Sequence, residues 1–155
     1  MGGVYAMCNN NEELNLFSKF PCLLRNKLIR TELEFPSHMQ VKYERIKAYR
    51  CIQREQDSYS DVTIQDFQSK VEILQKRKVR NRIENEDYMS DIGNYGVSLF
   101  TDKRILNNAM KLPRPTRKIC VGYVQDKGGV QATDECHVNW WLYENAEIGV
   151  FKIEK

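Results

Sequence analysis

Histidine and tryptophan are scarce in this chain, with two of each in 155 residues, and the usual signatures of several large enzyme classes are missing altogether. There is no G-x-G-x-x-G, no G-x-x-x-x-G-K-[ST] and no G-x-S-x-G, so a dinucleotide fold of the Rossmann kind, a P-loop and a hydrolase nucleophile elbow are not expected. No run approaches the eighteen or so apolar residues of a spanning helix, and no membrane association is expected. Gly2 stands where a myristoylation signal would place it, but Ala6 occupies the position that wants Ser or Thr. The five cysteines, Cys8, Cys22, Cys51, Cys120 and Cys136, form no C-x-x-C pair, and no apolar segment opens the chain. A reduced, cytoplasmic setting is therefore expected. Cys136 and His137 are adjacent, and neighbours on a strand point to opposite faces, so the sequence implies no metal site. The cysteines read as small core residues.

What is present fits one domain over residues 1–155, with a helical segment at 1–40 and an α+β core at 41–155. Hydrophobic residues make up 41% of the chain, enough to bury a core, and the net charge of +3 is the small difference between 24 basic and 21 acidic residues. That balance is too weak to argue for a nucleic-acid partner by itself. From Asn11 to Arg30, Leu14, Phe17, Leu24 and Leu28 recur at helical spacing, and Pro21 divides the segment into two short helices. IKAYRCIQ, at 46 to 53, alternates as a strand should. Thr63 can cap a helix in which Ile64, Phe67, Val71 and Leu74 repeat on one face. That helix runs into KRKVRNR, where Lys76, Arg77, Lys78, Arg80 and Arg82 place five positive charges in seven residues. Two readings stand: a solvated helix end balanced by the acidic ENED that follows, or a basic patch for a phosphate-rich partner.

DIGNYGVSLFT reads as a glycine-rich turn and a short strand, followed by a helix over DKRILNNAMKL that Pro113 and Pro115 close. RKICVGYVQD is the clearest strand and ends in an Asp-Lys-Gly-Gly turn. QATDECHVNWWLYE follows as its partner and IGVFKIEK as the last strand. Helices precede strands, so the expected class is α+β with a mixed or antiparallel sheet.

Three blocks stand apart: AYRCI with Arg50, NYGVSLFTD with Tyr95 and Ser98, and HVNWWLYENAE with both tryptophans. An arginine within a strand is costly unless its guanidinium meets an anion, and its fork suits phosphate, although an outward-facing Arg50 would be an ordinary surface charge. The order of the blocks resembles the ADP-ribosyltransferase superfamily, in the branch that reads arginine, serine, glutamate. The resemblance runs from about residue 46 to the end. It implies a split β-sheet, NAD as the donor, Arg50 binding the dinucleotide, Ser98 supporting the nicotinamide ribose, and a late glutamate as the catalytic acid: Glu144, with Glu147 and Glu154 as rivals. His137 joins the catalytic candidates through a partial likeness to the branch that reads histidine, tyrosine, glutamate. The chain departs from the family pattern in writing Gly-Val-Ser-Leu-Phe-Thr in place of Ser-Thr-Ser, and in setting Glu144 within Tyr-Glu-Asn.

The chemistry explains such a gathering. Breaking the bond between nicotinamide and ribose leaves a ribosyl group of oxocarbenium character, which a carboxylate stabilises. An arginine neutralises the pyrophosphate, and an aromatic face from Tyr95, Trp140 or Tyr143 can stack on the nicotinamide. One tryptophan would then pack in the core while the other lines the cleft; the alternative divides both rings between the core and a partner surface. The basic residues would suit an RNA or DNA acceptor, and an acidic protein equally. By analogy with the family, the chain is expected to be an intracellular toxin or defence effector held by an antitoxin protein. Two other readings remain: a binding module such as an antitoxin or immunity protein, and transfer of a phosphate from RNA to the dinucleotide, which would want a basic cleft without an acid.

Overall fold

The computed structural model describes residues 10–77 and 86–155. Two short helices open it, α1 (Asn10–Phe17) and α2 (Cys22–Ile29), with Pro21 as the N-cap of the second. Its ring fixes φ and withholds an N–H, so the chain stops and restarts there. The strands are β1 (Ile46–Gln53), β2 (Val97–Phe100), β3 (Arg117–Val124), β4 (Gly129–Asp134), β5 (His137–Leu142) and β6 (Lys152–Ile153), and the further helices are α3 (Lys70–Arg77) and α4 (Lys103–Met110). The strands form one antiparallel sheet in the order β4-β5-β2-β1-β3-β6. The fold is thus α+β. No helix among the described residues is long and apolar enough to cross a membrane.

Both faces of the sheet are covered by apolar clusters, and this decides where the two tryptophans go. One cluster joins Leu16, Phe17 and Phe20 of the N-terminal segment to Val130, Ala132 and Trp141; the other joins Ala48, Leu99, Cys120, Val138 and Trp140 to Phe151. Successive strand residues point to opposite faces, so Trp140 and Trp141 each fill a different core, and each is 0% exposed. At about 25 cal/mol per Å² over some 200 Å², each ring contributes on the order of 5 kcal/mol of burial. The expected division, with one ring lining a cleft, is corrected: both belong to the core. The Trp140 ring also explains Gly128, and the close approach of the β5 backbone explains Gly129. A Cβ on Gly128 would lie 2.7 Å from Trp140 Cζ2, and one on Gly129 would collide with the Trp141 backbone.

Two further expectations differ from what forms. The apolar repeat from Ile64 to Leu74 suggests one helix, but a single 3-10 turn at Ile64–Asp66 ends at Phe67 and α3 starts afresh at Lys70. Each piece has its own capping box. Thr63 Oγ1 accepts from the Gln65 N–H while Asp66 accepts from the Thr63 N–H, and Ser69 and Glu72 accept reciprocally from each other's N–H groups at 3.2 Å. The break has a second cause: Arg50 takes the carbonyls of Asp66 and Gln68, which a continuous helix would use for its own ladder. The segment QATDECHVNWWLYE, expected as one strand partnering RKICVGYVQD, is a hairpin of β4 and β5 that turns at Glu135 and Cys136, with Glu135 at φ 55, and joins the sheet through β2 and not β3.

Candidate functional site

The sheet is nearly two sheets. β1 pairs with β3 from Ile46↔Val124 to Gln53↔Arg117, and β2 pairs with β5 from Val97↔Trp140 to Phe100↔His137, but β1 and β2 are joined only through Tyr49↔Phe100. Beyond that pair the ladder does not continue to Cys51 and Ser98. Arg50 bridges the opening instead, donating from Nη1 to the Ser98 carbonyl at 2.8 Å, from Nε to Asp66 O at 2.8 Å and from Nη2 to Gln68 O at 3.3 Å. Its guanidinium carbon lies 5.5 Å from the centroid of the Phe67 ring. Phe67 belongs to one core and Val71 to the other, so the segment leading into α3 crosses the mouth of the split while Arg50 holds it. A guanidinium has five N–H donors. Three are used here, which leaves one on each Nη for a ligand. Burial disfavours the charged form and lowers the arginine's pKa from its usual value, with Cys120, Cys51, Asp66 and Glu72 opposing. A guanidinium in that state favours an anion beside it.

Ser98 and His137 meet on the other lip of the split. Their strands are neighbours, and Ser98 Oγ lies 2.6 Å from His137 Nε2. The imidazole is half-buried and stands edge-on to Phe100, its cross-strand partner, with ring centroids 5.2 Å apart. Burial lowers its pKa from the usual histidine value, against an opposing pull from Asp134. The ring is therefore neutral at pH 7 and can accept a proton. Asn139 lies directly across from Ser98 and shares the face of His137. Asp91 caps the turn before β2, accepting from the Gly93 N–H at 2.9 Å.

These groups line one cavity of about 710 Å³, which falls within the range of small-molecule sites. Arg50, Ser98, His137 and Asn139 come from the sheet, Lys70, Ile73 and Arg77 from α3, and Asp91, Gly93 and Asn94 from the preceding turn. Asp91 is the only carboxylate in that lining among the described residues.

The remaining candidates lie elsewhere. Glu144 lies two residues beyond the end of β5, whereas His137 begins that strand. Its N–H donates to the Lys19 carbonyl, and its carboxylate lies 3.7 Å from Arg25 Nη1. Glu154 pairs with Lys103, and the Glu147 carbonyl lies against Gly128. None of these three acids lines the cavity that holds Arg50 and Ser98. Tyr95 is buried and donates from its hydroxyl to the Met89 carbonyl at 2.7 Å, while Tyr143 packs on Phe20 with ring centroids 5.4 Å apart. With Trp140 in the core, none of the three expected stacking rings lines the cavity. Lys76 and Arg77 end α3, and Arg77 reaches the cleft; Lys78, Arg80 and Arg82 lie outside the described residues.

Sequence reasoning missed Gln68, Lys70, Asp91, Asn94 and Asn139. Only Asn139 carried a signal, since a strand through His137 sets residues 137 and 139 on one face. Comparison of the chain with protein-family models, with curated protein sequences and with solved structures returns no match.

Proposed function

We propose that the chain is an ADP-ribosyltransferase of the type its blocks resemble, binding NAD in the split between β1 and β2 and using His137, not a glutamate, as its base. The observation that carries this reading is the Ser98 Oγ···His137 Nε2 contact of 2.6 Å beside the bridging guanidinium of Arg50. The resemblance assigns the first-strand arginine to the dinucleotide and the second-strand serine to the nicotinamide ribose, and Arg50 and Ser98 stand on β1 and β2. The two N–H groups that Arg50 retains suit a pyrophosphate oxygen pair.

In the transfer, the bond between the ribose anomeric carbon and the nicotinamide nitrogen breaks, and nicotinamide leaves with the electron pair. A nucleophilic oxygen or nitrogen of the acceptor bonds to that carbon and gives its proton to Ser98 Oγ, as Ser98 passes its own proton to His137 Nε2, the nitrogen it already contacts. A neutral imidazole is suited to this step, and general-base assistance of this kind contributes about 10²- to 10⁴-fold. Ser98 orients the ring and holds the ribose. Asp91, the one carboxylate of the cavity's lining among the described residues, would stabilise the charge that develops on the ribosyl group.

A second reading has an observation of its own. Arg50, Lys70 and Arg77 supply the basic side chains that transfer of a phosphate from RNA to the dinucleotide wants, while the presence of Asp91 in the same lining counts against it. One experiment separates the two. The protein is incubated with NAD labelled in its adenylate phosphate and with separate pools of RNA, DNA and protein, alongside Arg50→Ala. Label entering one pool together with free nicotinamide, both lost in the variant, supports the transfer; nicotinamide release that Arg50→Ala leaves unchanged overturns it. Loss of an RNA phosphate without nicotinamide release selects the second reading.

A further inference from the structure

The cleft does not end at Arg50. Arg50, Gln68, Ile73 and Arg77 also line a second hollow of about 290 Å³ on the far side of the guanidinium, with Lys76 and Arg117. Arg117 in turn lines a third, of about 300 Å³, with Lys103, Lys118 and Lys155. These three hollows adjoin one another through shared residues, from the Ser98 and His137 pair past the end of α3 to the first residues of β3. A further hollow that shares Gln65, Gln68 and Lys76 branches off toward Glu72, Glu144 and the exposed Leu23.

The charge of this groove is one-sided in a way the whole chain is not. Eight lysines and arginines line it against three carboxylates, Asp91, Asp66 and Glu154. Two of the three are already engaged: Asp66 by both Nη atoms of Arg54, at 2.6 and 2.8 Å, and Glu154 by Lys103. Lys103 is held by Glu154, Lys118 donates from Nζ to the Gln56 carbonyl at 2.8 Å and Arg50 grips three carbonyls, yet the positive charge of the lining exceeds the negative. Arg117 is short of acceptors, since its Nε is shielded from solvent without a hydrogen-bond partner and its Nη1 reaches only Gln53 Oε1, at 3.5 Å. At the rim, Tyr59 is 48% exposed, with Lys118 Nζ 4.5 Å and Lys155 Nζ 5.7 Å from its ring centroid.

We infer that this groove holds the phosphate backbone of a nucleic-acid strand and delivers an acceptor group of that strand to His137. An extended row of cations interrupted by side-chain amides matches evenly spaced phosphates, and an exposed ring set among lysines gives a base a face to stack on. An acidic protein is the poorer match, because the centre of a protein interface is apolar. The exposed apolar side chains Leu14, Ile29 and Val150 are absent from the groove's lining, and Leu23 lines only the branch. The inference rests on the transferase reading for calling the strand an acceptor; binding of the strand stands apart from it.

The test uses the full chain without NAD and follows the fluorescence anisotropy of a labelled 12-nucleotide RNA, the same sequence as DNA, and a labelled polyglutamate of equal charge, between 50 and 200 mM salt. With three or four phosphates held, log K should fall against log salt with a slope of roughly −2 to −3. The pair Arg117→Glu and Lys118→Glu, which leaves the cleft residues intact, should weaken RNA or DNA binding at least tenfold and flatten the slope by about 1 or more, whereas Lys127→Glu, in the β3–β4 turn, should change neither. Thermal melting establishes that each variant is folded. Polyglutamate bound as tightly as the nucleic acids, or nucleic-acid binding untouched by the paired change, overturns the inference. NAD cleavage without strand binding sinks the groove and spares the transferase reading; strand binding without NAD cleavage supports the groove and sinks the transferase reading.

Discussion

Replacing Arg50 by alanine tests whether this side chain holds the split in shape as well as facing it. The substitution removes three charge-assisted bonds, to the carbonyls of Asp66, Gln68 and Ser98. The first two are partly buried and worth about 1.5 to 2 kcal/mol each, while the third is exposed and worth about 1 kcal/mol. Relief of the buried charge returns on the order of 1 to 2 kcal/mol. The net loss is about 3 kcal/mol. For a chain of this size 1 kcal/mol shifts Tm by roughly 2 to 4 °C, so differential scanning calorimetry should show a fall of about 6 to 12 °C. Amide exchange should accelerate most across α3, which begins just after the two carbonyls Arg50 grips. Arg50→Lys keeps the charge but has one nitrogen in place of a fork, and should recover less than half of the loss. A Tm within 2 °C of the native value, with α3 amides as protected as before, would refute the bridging role and leave Arg50 an ordinary surface cation.

His137 sets a pH dependence of known sign. Burial lowers its folded pKa beneath the unfolded value of about 6.5, so the unfolded chain binds the extra proton first and stability rises with pH across the interval between the two. Titrating Tm from pH 5 to 7 should show that rise, and His137→Gln should remove its share. Asp66→Asn should cost about 2 kcal/mol in urea denaturation, because the amide keeps one acceptor oxygen for Thr63 and loses the charge and one of the two bonds from Arg54. Burial raises the Asp66 pKa, but the bonds from Arg54 and Thr63 outweigh it and set it below the ordinary value, so this contribution is full above pH 4 and fades as acid titrates the folded carboxyl. Trp141→Phe should destabilise by about 2 to 3 kcal/mol, since it also loses the bond from Nε1 to the Ile92 carbonyl at 2.9 Å, yet change NAD affinity less than threefold because the ring lies in the core.

The strands β1 and β3 could be read from alternation because both pair along their whole length within the sheet interior, and Pro21 announced the break between α1 and α2. Long-range grips were invisible. The interruption before α3 depends on a guanidinium sixteen residues upstream of Asp66, and no local propensity encodes that. The β4–β5 hairpin turns on Glu135, a residue without glycine's freedom, so no turn signal marked it. Arg50 and Ser98 were found through the order of their blocks. Glu144 sits near the tryptophans in sequence but follows the end of β5 and is absent from the lining of the cavity, while His137 at the start of the same strand stays beside Ser98.

The most direct measurement is the rate of nicotinamide release from NAD by native protein, His137→Ala and Glu144→Gln, each first shown by calorimetry to be folded. A loss of at least a hundredfold for His137→Ala, with Glu144→Gln within threefold of native, is the expected result. Native-like release by His137→Ala, or loss of release with Glu144→Gln alone, would contradict a reaction centre built from Arg50, Ser98 and His137.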